Sequence, residues 1–308
     1  MKILVTGGAG FIGSHVVDTY VAAGHEVIVV DDLSTGRREN VNPKARFHRL
    51  DITDPALGEL IRDARPAVLN LHAAQMDVRR SVADPLFDAR VNILGTINLL
   101  EAARKANVRR VLFVSSGGAV YGEQEAFPAP ESHPTNPVSP YGVSKRAGEL
   151  YAFFYQAEYQ LPFMALRYAN VYGPRQDPHG EAGVVAIFTG KMLRAEPVTV
   201  NGDGKQTRDY VYVGDVARAN LLALESTATG PFNIGTGIET DVSTLARLLL
   251  EATGSRSEVR PGPAKQGEQR RSVVDSRRAA EVLGWRPEVS LAEGLGRTVE
   301  WFRTREGG

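Results

Sequence analysis

The chain has 308 residues, of which 43% are hydrophobic and 23% are charged, a composition typical of a globular protein with one or two domains. Its 36 basic and 36 acidic side chains cancel, so there is no overall positive field to hold nucleic acid or an anionic membrane surface. The chain contains no cysteine, which excludes disulfides, thiolate nucleophiles and cysteine-ligated metal centres. The six histidines show no metal-ligand spacing, so we expect no metal.

The first residues, MKILVTGG, lack the basic region and the long apolar run of a signal peptide. No segment approaches the ~18 uninterrupted apolar residues that a membrane-spanning helix needs. We therefore expect a soluble, cytoplasmic protein that has no membrane partner.

Short β-branched runs alternate with longer helical stretches through the first half of the chain, a pattern typical of βαβ units on a parallel sheet. Apolar residues at three- and four-residue spacing predict the helices. The predicted strands cover 2–6, 26–30, 46–50, 67–71, 110–114 and 163–167, and the predicted helices cover 11–23, 55–64, 84–106 and 140–158. We expect an α/β fold in which residues 1–172 form a Rossmann-type doubly wound parallel sheet.

The sequence changes in character after about residue 172. Glycine and proline become frequent, and the predicted helices become shorter. We expect residues 173–308 to form a smaller mixed α/β lobe that binds the substrate, and the pattern allows the chain to return to the sheet around 209–236.

A glycine-rich segment, GGAGFIG, follows the first predicted strand and leads into a helix. Gly7 permits a tight turn, Gly10 lets the backbone approach a pyrophosphate, and Gly13 allows the helix to pack closely on the strand. The free N–H groups and the positive dipole end of the helix then face the phosphates. The strand, turn and helix context therefore predicts a dinucleotide site, against the alternative of a glycine-rich turn that binds nothing.

Asp31 and Asp32 end the second predicted strand, where a carboxylate accepts hydrogen bonds from the adenosine ribose hydroxyls. A carboxylate at this position would repel a 2′-phosphate. The pattern therefore favours NAD over NADP, although Arg37 and Arg38 follow closely in the sequence.

Tyr141 and Lys145 are four residues apart, and Ser139-Pro140 before them is typical of a helix start. Both side chains then project from one face of the helix. A nearby ammonium and an oxidised nicotinamide both favour the phenolate over the phenol, so Tyr141 would act as general base towards a substrate hydroxyl while hydride leaves the same carbon. The alternative is an exposed Tyr/Lys pair that has no chemical role.

Several motifs occur together in order along the whole chain, and with them the chain resembles the nucleotide-sugar epimerases of the extended short-chain dehydrogenase/reductase family, in particular those similar to UDP-galactose 4-epimerases. These motifs are TGGAGFIG at 6–13, Asp31-Asp32, Asp51-Ile52, His72-Ala73-Ala74, Asn92, Ser115-Ser116, VYG at 120–122, YGVSK at 141–145, RYAN at 167–170 and GDGKQTRDYVYV at 202–213. The resemblance implies a Rossmann-type NAD-binding domain, a UDP-sugar substrate, and an isomerase that inverts C4 of UDP-glucose or UDP-galactose.

The resemblance also implies which residues form the sites. Tyr141, Lys145 and Ser116 are the expected catalytic residues, with Lys145 holding the nicotinamide ribose and Asn92 supporting the active-site helices. The expected cofactor-binding residues are Gly7, Gly10, Phe11, Ile12, Gly13, Asp31, Asp32, Leu33, Ser34, Thr35, Gly36, Asp51, Ile52, Leu71, Ala73, Ala74, Gln75, Asn92, Ser115, Tyr141, Lys145 and Tyr168. The expected substrate-binding residues are Ser116, Asn170, Thr199, Asn201, Arg208, Lys265, Glu268 and Ser272, where Asn170 and Arg208 contact the diphosphate.

The sequence departs from the family four residues before Tyr121. Most members have a serine or threonine there that hydrogen-bonds the reacting sugar hydroxyl, whereas this chain has Gly117. Three substitutes are open: Ser116 through a shifted loop, a water molecule, or Tyr141 alone. We favour Ser116.

The reaction type follows from the two residues after that position. The related 4,6-dehydratases have an Asp-Glu pair and the decarboxylases keep an acid, but this chain has Gly118-Ala119. Without a carboxylate the site can oxidise and reduce C4 but cannot eliminate, which leaves epimerisation. A UDP-glucuronate 4-epimerase or another nucleotide-sugar 4-epimerase remains the alternative, and a non-catalytic NAD sensor or scaffold is the alternative from a different class.

Two further expectations concern the partner and the sugar. The family pairs the helices equivalent to 84–106 and 140–158 across a two-fold axis, and Leu150, Tyr151, Phe153, Phe154 and Tyr155 lie in the second one, so we expect a homodimer.

The segment 263–269 resembles the family segment that holds the distal phosphate and the ribose, with Lys265 in place of its arginine and Glu268 in place of its aspartate. Counting on from it, Ser272 would face the C2 substituent and leave room for an N-acetyl group. The alternative is that an insertion shifts this register and Ser272 is simply exposed.

Overall fold

The computed structural model describes residues 1–178, 183–264 and 269–306. Its strands are β1 (Lys2–Thr6), β2 (Glu26–Asp31), β3 (Arg46–Arg49), β4 (Val68–Leu71), β5 (Arg110–Ser116), β6 (Phe163–Tyr168), β7 (Asn170–Tyr172), β8 (Val198–Asn201), β9 (Thr207–Tyr212), β10 (Gly230–Ile234), β11 (Glu239–Asp241), β12 (Val259–Gly262) and β13 (Arg271–Ser272). Its α-helices are α1 (Phe11–Ala22), α2 (Ala56–Ala64), α3 (Val78–Ala83), α4 (Pro85–Ala89), α5 (Gly95–Lys105), α6 (Pro140–Tyr159), α7 (Val184–Leu193), α8 (Val213–Glu225), α9 (Val242–Thr253), α10 (Arg277–Leu283) and α11 (Leu291–Glu306). Among these helices, none combines the length and the apolarity that a membrane span requires.

The large sheet contains seven parallel strands in the order β10-β6-β5-β4-β1-β2-β3. The six strands predicted from the first half of the chain are all present in it. Because every strand is parallel, their carboxyl ends meet at one edge, and the order reverses beside β1, where such folds bind ligands. The sheet confirms the predicted Rossmann-type doubly wound α/β fold.

Helices cover both faces of this sheet, which explains why its central strands are almost continuously apolar, whereas the edge strand β3 is mostly exposed. On one face α1 and α8 pack against the sheet in a core that includes Val16, Tyr20 and Phe232. On the other face α2, α5 and α6 enclose a second core around Leu57, Leu99 and residues of β5.

The predicted helix over 84–106 is interrupted. It consists of α4, a π-helical turn over Arg90–Leu94 and then α5, and α3 precedes it. The π turn carries Asn92, whose side chain is buried. Such turns are frequent at functional sites, and an apolar spacing of three and four residues cannot reveal them, so the prediction of one continuous helix was wrong in this detail.

The second lobe is a smaller mixed α/β unit. In it β11 and β13 flank β9, β7 also pairs with β9, and β8 pairs with β12. Helices α7, α9 and α11 close an apolar core around Tyr172, Phe188 and Leu245. The segment β10 returns to the large sheet beside β6, and α10 packs against it.

Candidate active site

The turn between β1 and α1 requires its glycines. Gly7 has a φ of +70°, and a Cβ there would lie 2.6 Å from the Ala73 amide nitrogen. A Cβ on Gly13 would overlap the Gly7 carbonyl oxygen, and the Gly10 amide donates to the same carbonyl at 3.1 Å. The backbone of this turn is therefore packed too tightly for a side chain at Gly7 or Gly13. Phe11 and Ile12 begin α1 at the edge of the sheet where the strands end. This turn and helix start have the geometry that a pyrophosphate needs.

Asp31 fastens the end of β2 to this turn. Its carboxylate accepts hydrogen bonds from the amides of Ala9 at 3.0 Å and Leu33 at 2.9 Å, and burial raises its pKa. Asp32 is more open and accepts both the amide and the hydroxyl of Ser34. The two carboxylates and the segment Leu33, Ser34, Thr35 and Gly36 thus lie beside the glycine turn, as a ribose contact requires.

The remaining predicted cofactor residues lie along the same edge. Leu71 ends β4 and is followed by Ala73, Ala74 and Gln75, Asp51 and Ile52 follow β3, Ser115 lies near the end of β5, and Tyr168 ends β6. Three of them have their side chains engaged elsewhere: the Ser115 hydroxyl donates to Glu149 at 2.6 Å, and Ile52 and Leu71 are buried in the core. Only their backbones remain for a cofactor. The buried Tyr168 hydroxyl accepts from the Asn220 amide at 2.7 Å.

Helix α6 begins where the sequence predicts. The Ser139 hydroxyl accepts from the Gly142 amide at 3.1 Å and Pro140 is the first helical residue, so Tyr141 and Lys145 lie one turn apart at the amino end. The Tyr141 amide also donates to the Ser81 hydroxyl of α3 at 3.1 Å, a contact that the sequence did not suggest. The Lys145 ammonium donates to the Val114 carbonyl at 3.0 Å and lies 5.8 Å from the centre of the Tyr141 ring.

Burial dominates the electrostatics of this pair. It lowers the pKa of Lys145 to about 8, although Asp88 and Glu149 act in the opposite direction. It raises the pKa of Tyr141 to about 12, although a hydrogen bond with Ser116 lowers it. In the protein alone Tyr141 is therefore a phenol at neutral pH, and the charge of an oxidised nicotinamide would be needed to favour the phenolate.

The loop after β5 explains why this chain has glycine at position 117, where most family members have serine or threonine. A Cβ on Gly117 would lie 2.8 Å from the Cγ1 of Val274, so that space is already filled. Ser116 instead reaches Tyr141. A Cβ on the next residue, Gly118, would lie 3.8 Å from Asn170 Oδ1 and Ser272 Oγ and 3.9 Å from Ser116 Oγ. Three neutral polar groups, one each from β5, β7 and β13, therefore surround the Gly118 backbone near Tyr141.

The substrate residues of the second lobe occupy two places. Ser272 is 3% exposed and pairs in register with Arg208, which brings the β9 and β13 residues together next to Asn170. Thr199 and Asn201 lie further out in β8, where Gly262 packs against both. Lys265 and Glu268 lie outside the described residues.

Asn92 connects the loop after β4 to α6. Its side chain accepts from the Gln75 amide at 2.9 Å and donates to the Gln75 carbonyl at 2.8 Å, to Asp88 at 3.0 Å and to the Ser144 hydroxyl at 3.2 Å. Asp88, which the sequence analysis did not single out, also accepts from the Gln75 side chain at 3.0 Å. No motif marks Asp88, and its position becomes apparent only once α4 packs against α6.

Comparison with known proteins agrees with this arrangement. Residues 3–235 match the NAD dependent epimerase/dehydratase family. The chain is 49% identical to the UDP-glucose 4-epimerase of Mycolicibacterium smegmatis over 311 residues, which cover 99% of both chains. The chain therefore belongs to the NAD dependent epimerase/dehydratase family.

Two solved structures are also similar. The UDP-glucose 4-epimerase of Thermotoga maritima, determined with UDP-glucose, is 52% identical and superimposes with a TM-score of 0.98 over 99% of this chain and all of its own. The UDP-glucose 4-epimerase of Thermus thermophilus, determined with NAD, is 48% identical with a TM-score of 0.95 over 98% of this chain and 99% of its own. Both cover the two lobes, so the resemblance is not confined to the nucleotide-binding half.

Proposed function

We propose that the protein interconverts UDP-glucose and UDP-galactose by inverting C4 of the sugar, with NAD bound tightly throughout the cycle. The observation that carries the proposal is the convergence of Ser116, Asn170 and Ser272 around Gly118 beside Tyr141. These residues offer hydroxyl and amide groups to a hexose, and they adjoin a Tyr/Lys pair at the edge where the glycine turn would hold the dinucleotide.

The mechanism assigns one task to each of these residues. Tyr141 takes the proton from O4 of the sugar, and Ser116 holds the O4 hydroxyl against it. The ammonium of Lys145 stabilises the phenolate and binds the nicotinamide ribose. The glycine turn and Asp31 would hold NAD, which would supply the acceptor and donor for the C4 hydride.

Inversion requires that the sugar turn over between the two hydride transfers. After the first transfer the sugar is a 4-keto sugar that remains attached through its diphosphate, which Asn170 and Arg208 hold. A Cβ at Gly118 would be in van der Waals contact with Asn170 and Ser272, so the absence of a side chain there leaves the sugar more room to present its other face. Tyr141 then gives the proton back to O4 as hydride returns to C4, and the starting state of the protein is restored.

The polar groups of this pocket favour epimerisation over elimination. Gly118 and Ala119 occupy the places where the related dehydratases and decarboxylases have carboxylates. The polar groups that surround Gly118 are two hydroxyls and an amide. Within the described part of the chain, the pocket therefore offers no carboxylate at these places to remove a proton from C5. UDP-glucuronate remains the alternative substrate, because these groups do not distinguish the C6 substituent.

A non-catalytic NAD sensor would have no use for this Tyr/Lys pair. Burial lowers the pKa of Lys145 to about 8, and a buried lysine perturbed in this way is typical of a functional site. Incubation with UDP-galactose tests whether the protein is an epimerase or a sensor. Proton NMR is expected to show UDP-glucose forming without added NAD, and the denatured protein is expected to release NAD. A protein that releases NAD but inverts no nucleotide sugar would be a sensor.

We further propose that the active molecule is a homodimer. Leu150, Phe153 and Phe154 of α6 are between 48% and 59% exposed, whereas Tyr155 is buried and donates to Glu101. Leu94, at the end of the π turn, is 59% exposed. These side chains form an apolar face on the two helical segments that the family resemblance pairs across a two-fold axis, and a second copy of the chain would cover it.

A further inference from the structure

Asp88 carries a buried carboxylate on α4, which packs against the helix that bears Tyr141 and Lys145. It is 1% exposed, and its Oδ1 accepts hydrogen bonds from the side-chain amides of Gln75 and Asn92, both at 3.0 Å. The same Asn92 amide reaches the hydroxyl of Ser144, which precedes Lys145 on α6. Asp88 is therefore held rigidly in place behind the amino-terminal turn of that helix.

A second carboxylate, Glu149, lies near Lys145 from the other direction, but two arginines already pair with it. Arg167 contacts both Glu149 oxygens, at 2.8 and 2.6 Å, and Arg146 donates to one of them at 2.9 Å. The two amides that donate to Asp88 are neutral. Of these two carboxylates, Asp88 is thus the one that the described hydrogen bonds tie to neutral donors, and a nearby cation stabilises a buried carboxylate.

We propose that Asp88 is a positioning residue that acts through Lys145: its carboxylate is the buried counter-charge that keeps the lysine an ammonium beside Tyr141. The inference rests on the proposed epimerase function. It assigns no contact between Asp88 and the substrate.

The charged groups around Lys145 all agree with this role. Asp88 and Glu149 both raise its pKa against the effect of burial. His72, which follows β4, is not a competing cation, because burial lowers its pKa to about 3 and leaves the ring neutral. Asp88 also raises the pKa of Tyr141. It therefore favours the phenol over the phenolate, and it makes the phenolate, once formed, a stronger proton acceptor.

Replacing Asp88 by asparagine removes the charge and keeps the volume and an oxygen for both amides. Both pKa values should then fall, because the carboxylate raises each of them. The profile of kcat against pH is expected to move as a whole to lower pH, by about one unit, with NAD content and melting temperature little changed. A residue that only packs α4 against α6 would lower kcat equally at every pH and leave the midpoints where they are.

Asp84 provides the matched control, because it caps the same helix from an exposed position, accepting from the Phe87 amide at 2.9 Å. Asp84→Asn removes an equal charge four residues away and should leave the pH profile unchanged. Asp88→Glu retains the charge and should keep midpoints close to the wild-type values even if its kcat falls. Unshifted midpoints in Asp88→Asn, or an equal shift in Asp84→Asn, would overturn the proposal.

A measurement that needs no turnover separates this proposal from the proposed function. The chain has seven lysines, so NMR of protein labelled at the lysine side chains gives a small set of signals, and Lys145→Arg identifies the one that is missing. Its titration midpoint should be lower in Asp88→Asn and unchanged in Asp84→Asn. If the wild-type protein inverted no nucleotide sugar, this result would still decide whether Asp88 is the counter-charge, and an unchanged midpoint would refute it.

Discussion

Val274 occupies the space that a side chain at position 117 would need, since a Cβ on Gly117 would lie 2.8 Å from its Cγ1. The two residues are far apart in the sequence, but Val274 forms a bridge to Ala129 that brings the loop after β13 against the loop after β5. This contact explains why position 117 has no side chain, and Ser116, which lowers the pKa of Tyr141, is the hydroxyl that can replace the usual serine or threonine.

The first prediction is that Gly117→Thr does not improve the enzyme. The added side chain collides with Val274, and overpacking of this kind costs about 1–3 kcal/mol, so both kcat and the melting temperature should fall. Adding Val274→Ala in the same chain should recover part of the loss. Unchanged stability in Gly117→Thr would mean that Val274 does not exclude a larger residue there.

The second prediction concerns the proton acceptor. Tyr141→Phe should lower kcat by about 10²–10⁴-fold, the usual contribution of a general base, and Ser116→Ala by roughly tenfold. Because Ser116 lowers the pKa of Tyr141, its removal should move the acidic limb of the kcat profile to higher pH. Steady-state rates measured across the pH range decide this, and full activity in Ser116→Ala would remove the serine from the mechanism.

Much of this site could be predicted from local sequence. The glycine turn and the helix start at Ser139-Pro140 each depend on a few neighbouring residues, and the structure has both where they were predicted. Asp88, Ser81 and Val274 could not be found in this way. Each acts on a residue distant in the sequence, through packing of α3 and α4 on α6 or of one loop on another, and no spacing along the chain encodes such contacts. A π-helical turn contains about one residue more than an α-helical turn, and the spacing of apolar residues did not reveal it at Asn92.

The third prediction concerns the C2 substituent of the sugar. Ser272 is buried, and its hydroxyl lies close to Gly118, so the alternative in which it is simply exposed is wrong. A small residue there leaves room for an N-acetyl group, so we expect activity on UDP-N-acetylglucosamine as well as on UDP-glucose. Ser272→Tyr should nearly abolish the former, while Ser272→Ala should keep both. An unchanged ratio of kcat/KM for the two sugars in Ser272→Tyr would show that this residue does not line the pocket.

The fourth prediction tests the homodimer. Sedimentation at micromolar concentration should give twice the mass of the chain, and replacing Leu150 and Phe153 together by serine should give monomers. Both side chains are more than half exposed in the single chain, so the folded monomer should lose little stability. Val282→Ser, which changes an apolar residue on α10 that is 48% exposed, should leave the dimer intact. A wild-type protein with the mass of one chain would refute the homodimer.

The central claim is that C4 is oxidised and reduced again by an NAD that stays bound. UDP-galactose carrying deuterium at C4 tests it most directly, in unlabelled water with no added cofactor. The account predicts UDP-glucose that retains the deuterium at C4, because the same hydride leaves and returns within the closed site. Loss of the label to water would contradict it, since inversion would then proceed by removal of a proton and not by hydride transfer.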